Sequence, residues 1–193
     1  MHGRSVFLYM TIFRIIWKIF FFLILTGFII AGTLLFVAGF VRISGSSMQP
    51  TYLTGSLCLS NKLIYRISAP QRGDVVEYFF PSEDFQSTPP IGKVLGLYNG
   101  MSWIGRIIGL PGEQFDIVNG SIAINHMTLS EPYLAQGKVS TVHGKFLSHT
   151  SLPLTLPSDS YMILVDSRTG YDSEEFGLIP KSNIVSRIEY CSK

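Results

Sequence analysis

The feature that most constrains this chain is a long apolar stretch near its N-terminus. Residues Ile19–Val41 form 23 consecutive positions, rich in Phe, Leu and Ile, without a charged side chain. A helix of that length, at about 1.5 Å per residue, crosses the ~30 Å hydrocarbon core of a bilayer. A cleaved signal peptide would have a shorter apolar core, of about 7–15 residues, before a small-residue cleavage site. We therefore predict a transmembrane helix.

The charges that flank this stretch predict its orientation. Arg14 and Lys18 precede it, whereas Arg42 is the cation that follows it closely. Because positive charge accumulates on the cytoplasmic side of a membrane helix, we expect residues 1–18 in the cytoplasm and a single span at 19–41. Residues 44–193 then form a domain on the extracytoplasmic side of the plasma (inner) membrane. Membrane lipid is accordingly an expected partner.

The composition after Ser44 is that of an ordinary globular domain. Of the 15 Lys and Arg residues, 11 lie in this part, together with all 13 Asp and Glu. No basic run or RNA-binding pattern is present, which argues against nucleic acid as a partner. The histidines show no ligand spacing, so no metal or cofactor is predicted. They are His2, His126, His143 and His149.

The two cysteines, Cys58 and Cys191, leave two interpretations open. In an oxidising compartment they could form one bridge that closes a long loop. The sequence cannot establish whether their Cα atoms approach closely enough. We take two free thiols as the expectation.

The exported part is patterned as β-structure. In Gln114–Leu129, apolar and polar residues alternate on both sides of Asn119-Gly120, which is the strongest short-range hairpin signal. Three further strands are predicted, followed or separated by polar, proline-bearing loops. The strands are Val75–Phe80, Tyr161–Val165 and Asn183–Tyr190, and the loops are Pro81–Pro90 and Leu134–Pro157.

Four short segments carry more information than this patterning. In chain order they are Ser44–Thr51 (SGSSMQPT), Arg72–Val76 (RGDVV), Arg106–Glu113 (RIIGLPGE) and Asp166–Gly177 (DSRTGYDSEEFG). Together, and behind an N-terminal anchor, they resemble the type I signal peptidases, a family of serine–lysine peptidases that includes a conjugation-associated branch. The resemblance implies a mostly β fold, in which one transmembrane helix precedes an antiparallel domain of two packed sheets.

The resemblance also implies roles for individual residues. Ser47, which precedes Met48, matches the family's nucleophile, and such a serine needs a base that takes its proton during attack. Gly45 and Met48 match the oxyanion and substrate groove, where Gly45 could contribute only a backbone group. The structural positions around the groove correspond to Arg106, Asp166 and Arg168.

One position departs from the family pattern. The family's basic lysine directly precedes the arginine of the third segment, and in this chain that position is Gly105. The fourth segment is also one residue shorter than the family's and lacks the serine that orients the lysine. Three other residues can be considered as a base, although a solvated surface position explains each of them as well: Lys62, Lys93 and His126.

Two functions from different classes therefore remain. The first is a membrane-bound serine endopeptidase that cleaves signal peptides or precursor segments from exported proteins at the outer face of the membrane. The second is a catalytically inactive homologue that binds an extended exported or pilus-like chain in the groove without cutting it. The intact serine segment favours the first, and the missing lysine favours the second.

Overall fold

The N-terminal residues form one long helix, α1, at His2–Val37 of the computed structural model. The structure describes residues 2–81, 87, 89, 92, 101–135, 144–170 and 172–192. The chain divides into two units, Met1–Val37 and Ala38–Lys193. Within α1, residues Ile12–Gly32 are long and apolar enough to cross a membrane.

The apolar helix ends earlier than the sequence predicts. We expected it to reach Val41, but Ala38–Arg42 is a strand, β1, that pairs with Leu57–Asn61. The reason is that residues 38–41 are as apolar as the helix before them, so composition alone does not reveal the change in backbone pairing. The prediction of the helix end was therefore wrong by four residues.

The second unit contains eleven strands and four short helical segments among the described residues. The strands are β1 Ala38–Arg42, β2 Leu57–Asn61, β3 Val75–Tyr78, β4 Trp103–Gly109, β5 Gln114–Val118, β6 Ser121–Ile124, β7 Met127–Thr128, β8 Leu154–Thr155, β9 Ser160–Leu164, β10 Ile179–Pro180 and β11 Ile184–Cys191. The helices are α2 Ile64–Ile67, α3 Lys145–Ser148 and α4 Ser173–Phe176, with a 3₁₀ turn at Lys181–Asn183.

The strands form two antiparallel sheets, as predicted. A seven-stranded sheet has the order β1-β2-β11-β3-β4-β9-β10, and a four-stranded sheet has the order β7-β6-β5-β8. An apolar cluster that includes Phe115, Ile122 and Met162 lies between the sheets. A second cluster around Tyr78 and Ile163 packs on the large sheet, and a third around Met48 anchors the turn that carries Ser47.

The predicted hairpin is confirmed. β5 and β6 pair with Ile117 opposite Ile122, and Asn119 and Gly120 both have positive φ, 52° and 75°. Two positive φ values in succession fit the two-residue turns that match the twist of antiparallel strands. The local sequence therefore determined both the turn and the register.

The other strand predictions agree with the structure except in detail. β3, β9 and β11 fall within the predicted strands at Val75–Phe80, Tyr161–Val165 and Asn183–Tyr190, apart from single residues at their ends. The predicted loop at Leu134–Pro157 contains α3 and β8, because Leu147 and Leu156 are buried in the core. Most of the predicted loop at Pro81–Pro90 lies outside the described residues, as do residues 136–143.

The expectation of free thiols was wrong, because Cys58 and Cys191 form a disulfide. Cys58 in β2 is paired directly with Cys191 in β11, and their Cα atoms are 3.9 Å apart. The sequence could not show this contact, since it joins residues that are 133 positions apart. The bridge ties the strand that follows the Ser47 turn to the last strand of the large sheet.

Replacing both cysteines should destabilise the second unit. We expect Cys58→Ala/Cys191→Ala to lower the free energy of unfolding by about 2–5 kcal/mol, because an unbridged chain has a larger unfolded ensemble. Denaturant unfolding of the full chain in detergent micelles, followed by tryptophan fluorescence, measures this change. A reducing agent should shift the wild-type midpoint and leave the double variant unaffected; equal midpoints for both proteins would contradict a stabilising bridge.

Candidate active site

Ser47 lies on a tight turn, Ser44–Thr51, which we call the Ser47 turn. On the two sides of Ser44–Ser47, the buried side chains of Ile43 and Met48 hold the chain in the third apolar cluster. Gly45 has φ +91°, a backbone conformation that side chains disfavour, so glycine suits this position. Ser47 itself is half-buried. The turn is therefore fixed at both ends while its serine stays accessible.

Ser47 faces an open cleft of about 460 Å³. One wall consists of residues Val41–Met48, the other of Met101–Ile104, and Thr169 and Gly170 complete the lining. The predicted groove residues Gly45 and Met48 both belong to this lining. Met48 is fully buried, so it contributes packing beneath the cleft as well as a part of its wall.

A loop after β9 holds the backbone of Ser47. The N–H of Ser167 donates to the carbonyl oxygen of Ser47 at 2.9 Å. Gly170 lies between Ser47 and Val165, because a Cβ atom at position 170 would stand 3.7 Å from Ser47 Cβ and 2.9 Å from Val165 Cγ2. A larger residue at 170 would push this loop away from the serine.

An ion pair between Arg106 in β4 and Asp166 anchors the same loop. Arg106 Nε donates to Asp166 Oδ1 at 2.9 Å, and Nη2 donates to Oδ2 at 2.7 Å. The Thr51 hydroxyl also donates to Asp166. The side chain of Asp166 is fully buried and that of Arg106 is 11% exposed. The pair therefore connects β4, the end of β9 and the end of the Ser47 turn.

Two further contacts complete this support. The ring of Tyr133 packs against the Arg106 guanidinium, whose Cζ lies 4.1 Å from the ring centroid. Arg168 donates to the carbonyl oxygen of Val165 at 2.7 Å and pairs with Glu131. The structure thus brings Ser47, Gly45 and Met48 into one cleft and places the three predicted motif residues around the loop that contacts it.

Gly105 lies in β4, where atoms of neighbouring core residues pack closely around it. A Cβ atom there would stand 2.7 Å from Ile163 Cγ2, 3.2 Å from the Leu164 carbonyl oxygen and 3.3 Å from Tyr78 Cε1. Contacts below 3.0 Å require a neighbour to move. The space that a side chain at 105 would enter is therefore already filled by core side chains.

Of the three alternative bases, the two that the structure describes do not come together with Ser47. Lys62 lies against β1, with Nζ 3.6 Å from the Cβ position of Gly39, and His126 is exposed in the turn between β6 and β7. Neither lines the cleft of Ser47. Lys93 lies outside the described residues. The part of the chain that the structure describes also has no cluster of His, Cys, Asp or Glu arranged for a metal ion.

Two buried acids in the fourth segment were not recognised from the sequence. Asp172 caps α4 and accepts hydrogen bonds from the N–H groups of Val165 and Glu174, both at 2.9 Å. Burial raises the pKa of Asp172 to about 6, and burial together with the charge of Asp172 raises the pKa of Glu174 to about 7. The raised pKa values of these carboxyls result mainly from burial, and the sequence does not show directly which acidic residues are buried.

A second cleft, of about 410 Å³, lies on the other side of the Ser47 turn. It is lined by Ser46, Gln49, Pro50, Leu53, Ala135, Asp166, Ser167 and Thr169. Ser46 and Thr169 line both clefts, so the two meet beside Ser47. An extended chain lying across the turn could occupy both.

Comparison with known proteins shows which family this sequence matches. The sequence model described as signal peptidase, peptidase S26, matches residues 13–192. A signal peptidase I from Leptolyngbya laminosa is 32% identical over 154 residues, covering 79% of this chain and 67% of that protein. A probable signal peptidase I-2 from Synechocystis sp. is 30% identical over 153 residues, covering 79% and 62%. This chain thus spans about two thirds of the length of these relatives. A solved signal peptidase I from Enterococcus faecalis V583 gives a TM-score of 0.45 at 24% identity, covering 64% of this chain and 99% of that one.

Loss of the buried ion pair should destabilise the second unit strongly. We expect Asp166→Ala to lower the free energy of unfolding by about 3–5 kcal/mol, because Arg106 would keep a desolvated charge without an anionic partner. Denaturant unfolding in detergent micelles measures the effect. The matched control is Glu189→Ala, whose pair with Arg187 has side chains 33% and 31% exposed and should contribute at most about 1 kcal/mol. Equal losses in the two variants would refute the role of Asp166.

The packing at Gly105 can be tested by a double-mutant cycle. We expect Gly105→Ala to cost about 1–3 kcal/mol, because its methyl group collides with Ile163. Ile163→Ala removes the colliding atom at the cost of a cavity, so the double variant should be more stable than the two single costs predict. Thermal unfolding of the four proteins measures this coupling. Simple additivity would show that the position tolerates a side chain without rearrangement.

Proposed function

This chain belongs to the signal peptidase family, peptidase S26, and we propose that it acts as a membrane-anchored serine endopeptidase with Ser47 as its nucleophile. It is a signal peptidase I homologue, and the substrates that this family implies are precursor proteins. The reaction is cleavage of signal peptides or precursor segments from exported proteins. The observation that carries the proposal is the position of Ser47, accessible in a cleft while its backbone is held by Ser167.

The cleft suits an extended peptide. Its walls include the apolar side chains Val41, Met48 and Ile104, and the backbone of the Ser47 turn lies beside them. The Ser47 hydroxyl attacks the peptide carbonyl carbon, and the developing oxyanion is stabilised by backbone N–H groups of the turn, with Ser47 and Gly45 as the proposed donors. Preorganised donors are effective here because the ends of the turn are already fixed.

Gly105 occupies the position at which the family carries its lysine base. The register is supported by Arg106, which directly follows Gly105 and pairs with Asp166, and by the Gly-Leu-Pro-Gly sequence that begins with the last residue of β4. Because glycine has no side chain that can accept a proton, this enzyme uses a different proton acceptor. Loss of a positioned base costs a serine nucleophile about 10²–10⁴-fold in rate when nothing replaces it.

The anchor and the surface of the second unit support action at the membrane. An apolar helix and the family together indicate membrane anchoring. Several large apolar side chains are exposed on neighbouring strands, where Phe40 pairs with Leu59 and Leu59 with Tyr190. Such a patch is costly in water and suits the interfacial region of a bilayer. With residues 1–18 in the cytoplasm, cleavage takes place at the outer face of the plasma membrane.

Replacing the nucleophile should abolish processing. We expect Ser47→Ala to leave a co-expressed secreted precursor uncleaved in a strain depleted of its own signal peptidase, whereas wild type yields the mature form. The matched control is Ser46→Ala, which removes the neighbouring hydroxyl from the same cleft and should retain processing. Immunoblotting of precursor and mature bands measures both. Unchanged processing by Ser47→Ala would disprove the assignment of Ser47.

A second function, binding without cleavage, is favoured by one observation, the filled space at Gly105. An inactive homologue would hold an extended exported or pilus-like chain in the two clefts as a binding or assembly factor. A serine-reactive fluorophosphonate distinguishes the two functions. Labelling that depends on Ser47 supports the peptidase, and its absence in a folded protein that still binds a signal peptide supports the binding factor.

A further inference from the structure

Arg42 is a charged residue that the chemistry of Ser47 leaves unexplained. In the sequence it is the cation that follows the apolar stretch, but in the structure it is the last residue of β1 and belongs to the second unit. Its side chain is exposed and lines the cleft of Ser47. The other residues described along this cleft are apolar, carry a hydroxyl group or are glycines. Arg42 is therefore the one ionisable side chain among the described residues of the cleft.

The neighbours of Arg42 do not compensate its charge. Leu57 lies directly opposite it in β2 and Leu59 lies diagonally across, and both are exposed apolar residues. Within the part of the chain that the structure describes, none of the ion pairs includes Arg42. Its guanidinium therefore remains available to attract an anion, and to repel a cation, that enters the cleft.

The backbone of Arg42 faces the open edge of the large sheet. β1 is the outermost strand on its side of this sheet among the described strands, with β2 as its neighbour. The N–H of Ile43 donates to the carbonyl oxygen of Ser56 at 2.9 Å, and its own carbonyl accepts from the N–H of Gly55 at 2.8 Å. Because successive residues of an antiparallel strand direct these groups to opposite sides, those of Arg42 point away from β2. An extended chain in the cleft can pair with this edge.

Pairing at this edge determines which side chains of a bound chain meet Arg42. Side chains of a strand alternate between its two faces, so Arg42 and the exposed Phe40 project to one face and the half-buried Val41 to the other. A bound strand follows the same alternation. The side chain opposite Arg42 therefore lies on the outer face, where opposite charges on paired strands attract and like charges repel.

We propose that Arg42 is a specificity-determining residue, which favours precursors with an acidic side chain opposite it and disfavours those with Lys or Arg there. This proposal rests on the peptidase function and adds a substrate preference to it. Among the described residues of the second cleft, the charged side chain is Asp166, which is already paired with Arg106. Selection by charge is therefore confined to the part of the substrate in the first cleft, on one side of the scissile bond.

The test uses peptides that span the cleavage region of a secreted precursor, with Glu, Gln or Lys placed at each position in turn. Cleavage is measured with wild type and binding with Ser47→Ala, by fluorescence anisotropy, using the full chain in micelles of a neutral detergent. At the position opposite Arg42, we expect Glu to bind about 1.5- to 5-fold more tightly than Gln, and Lys more weakly by a similar factor. The preference should be absent at the two adjacent positions, and it should decrease in 1 M salt, where charges are screened beyond about 3 Å.

Variants at position 42 test whether this residue causes the preference. Arg42→Gln should remove the difference between the Glu and Lys peptides, Arg42→Glu should reverse it, and Arg42→Lys should retain it. The matched control is Lys181→Gln, which removes an exposed positive charge outside the cleft and should keep the wild-type ratio. A wild-type ratio in Arg42→Gln, or equal binding of the Glu and Lys peptides by the Arg42 protein, overturns the role of Arg42.

The two assays separate failure of this proposal from failure of the peptidase function. Binding with the expected charge ratio but without cleavage refutes the peptidase and supports Arg42, whereas absence of binding refutes both. A lipid phosphate is the competing partner, because Arg42 shares a face with the exposed Phe40. The assays are therefore repeated in phosphatidylcholine nanodiscs with and without phosphatidylglycerol. An effect of Arg42→Gln that requires phosphatidylglycerol and is equal for all peptides assigns Arg42 to the membrane and overturns the proposal.

Discussion

The geometry of the site depends on the ion pair between Arg106 and Asp166. It sits where three parts of the second unit meet, the strand β4, the loop after β9 and the end of the Ser47 turn. Asp166 receives two hydrogen bonds from Arg106 and a third from Thr51, so its charge is compensated although it is fully buried. The next residue, Ser167, fixes the carbonyl of Ser47. A buried pair of this kind contributes little net stability over an apolar alternative, but it defines one arrangement of the groups it joins.

Burial changes the acid–base chemistry of amines and of carboxyls in opposite directions. Burial disfavours charge, so it lowers the pKa of an amine and raises that of a carboxyl. A lysine in an apolar place becomes a base because it loses its proton near neutral pH. An aspartate in such a place becomes a stronger base because it holds a proton more tightly than it does in water. In this protein burial raises the pKa of Asp172 to about 6, and core side chains fill the space around Gly105.

Features that adjacent residues determine could be predicted from the sequence. Features that depend on contacts between distant residues could not. The turn at Asn119-Gly120 was predictable because two adjacent residues specify it, whereas the role of Ser47 rests on the segment that its neighbours form and stays a prediction. The strand Ala38–Arg42 was missed because its side chains are as apolar as those of the preceding helix, and only pairing with β2 distinguishes it. The bond between Cys58 and Cys191 and the burial of Asp172 depend on contacts between distant parts of the chain, which composition and spacing do not encode.

The place of β11 in the large sheet has a consequence for the order in which the protein can be made and folded. This strand, Ile184–Cys191, lies between β2 and β3, so it separates two strands that precede it by more than a hundred residues. Until that segment has paired, β2 has no neighbour on that side and the sheet remains in two parts. Pairing of β11 with both strands therefore closes the sheet, and before that step the open edges of β2 and β3 are sites at which chains can aggregate.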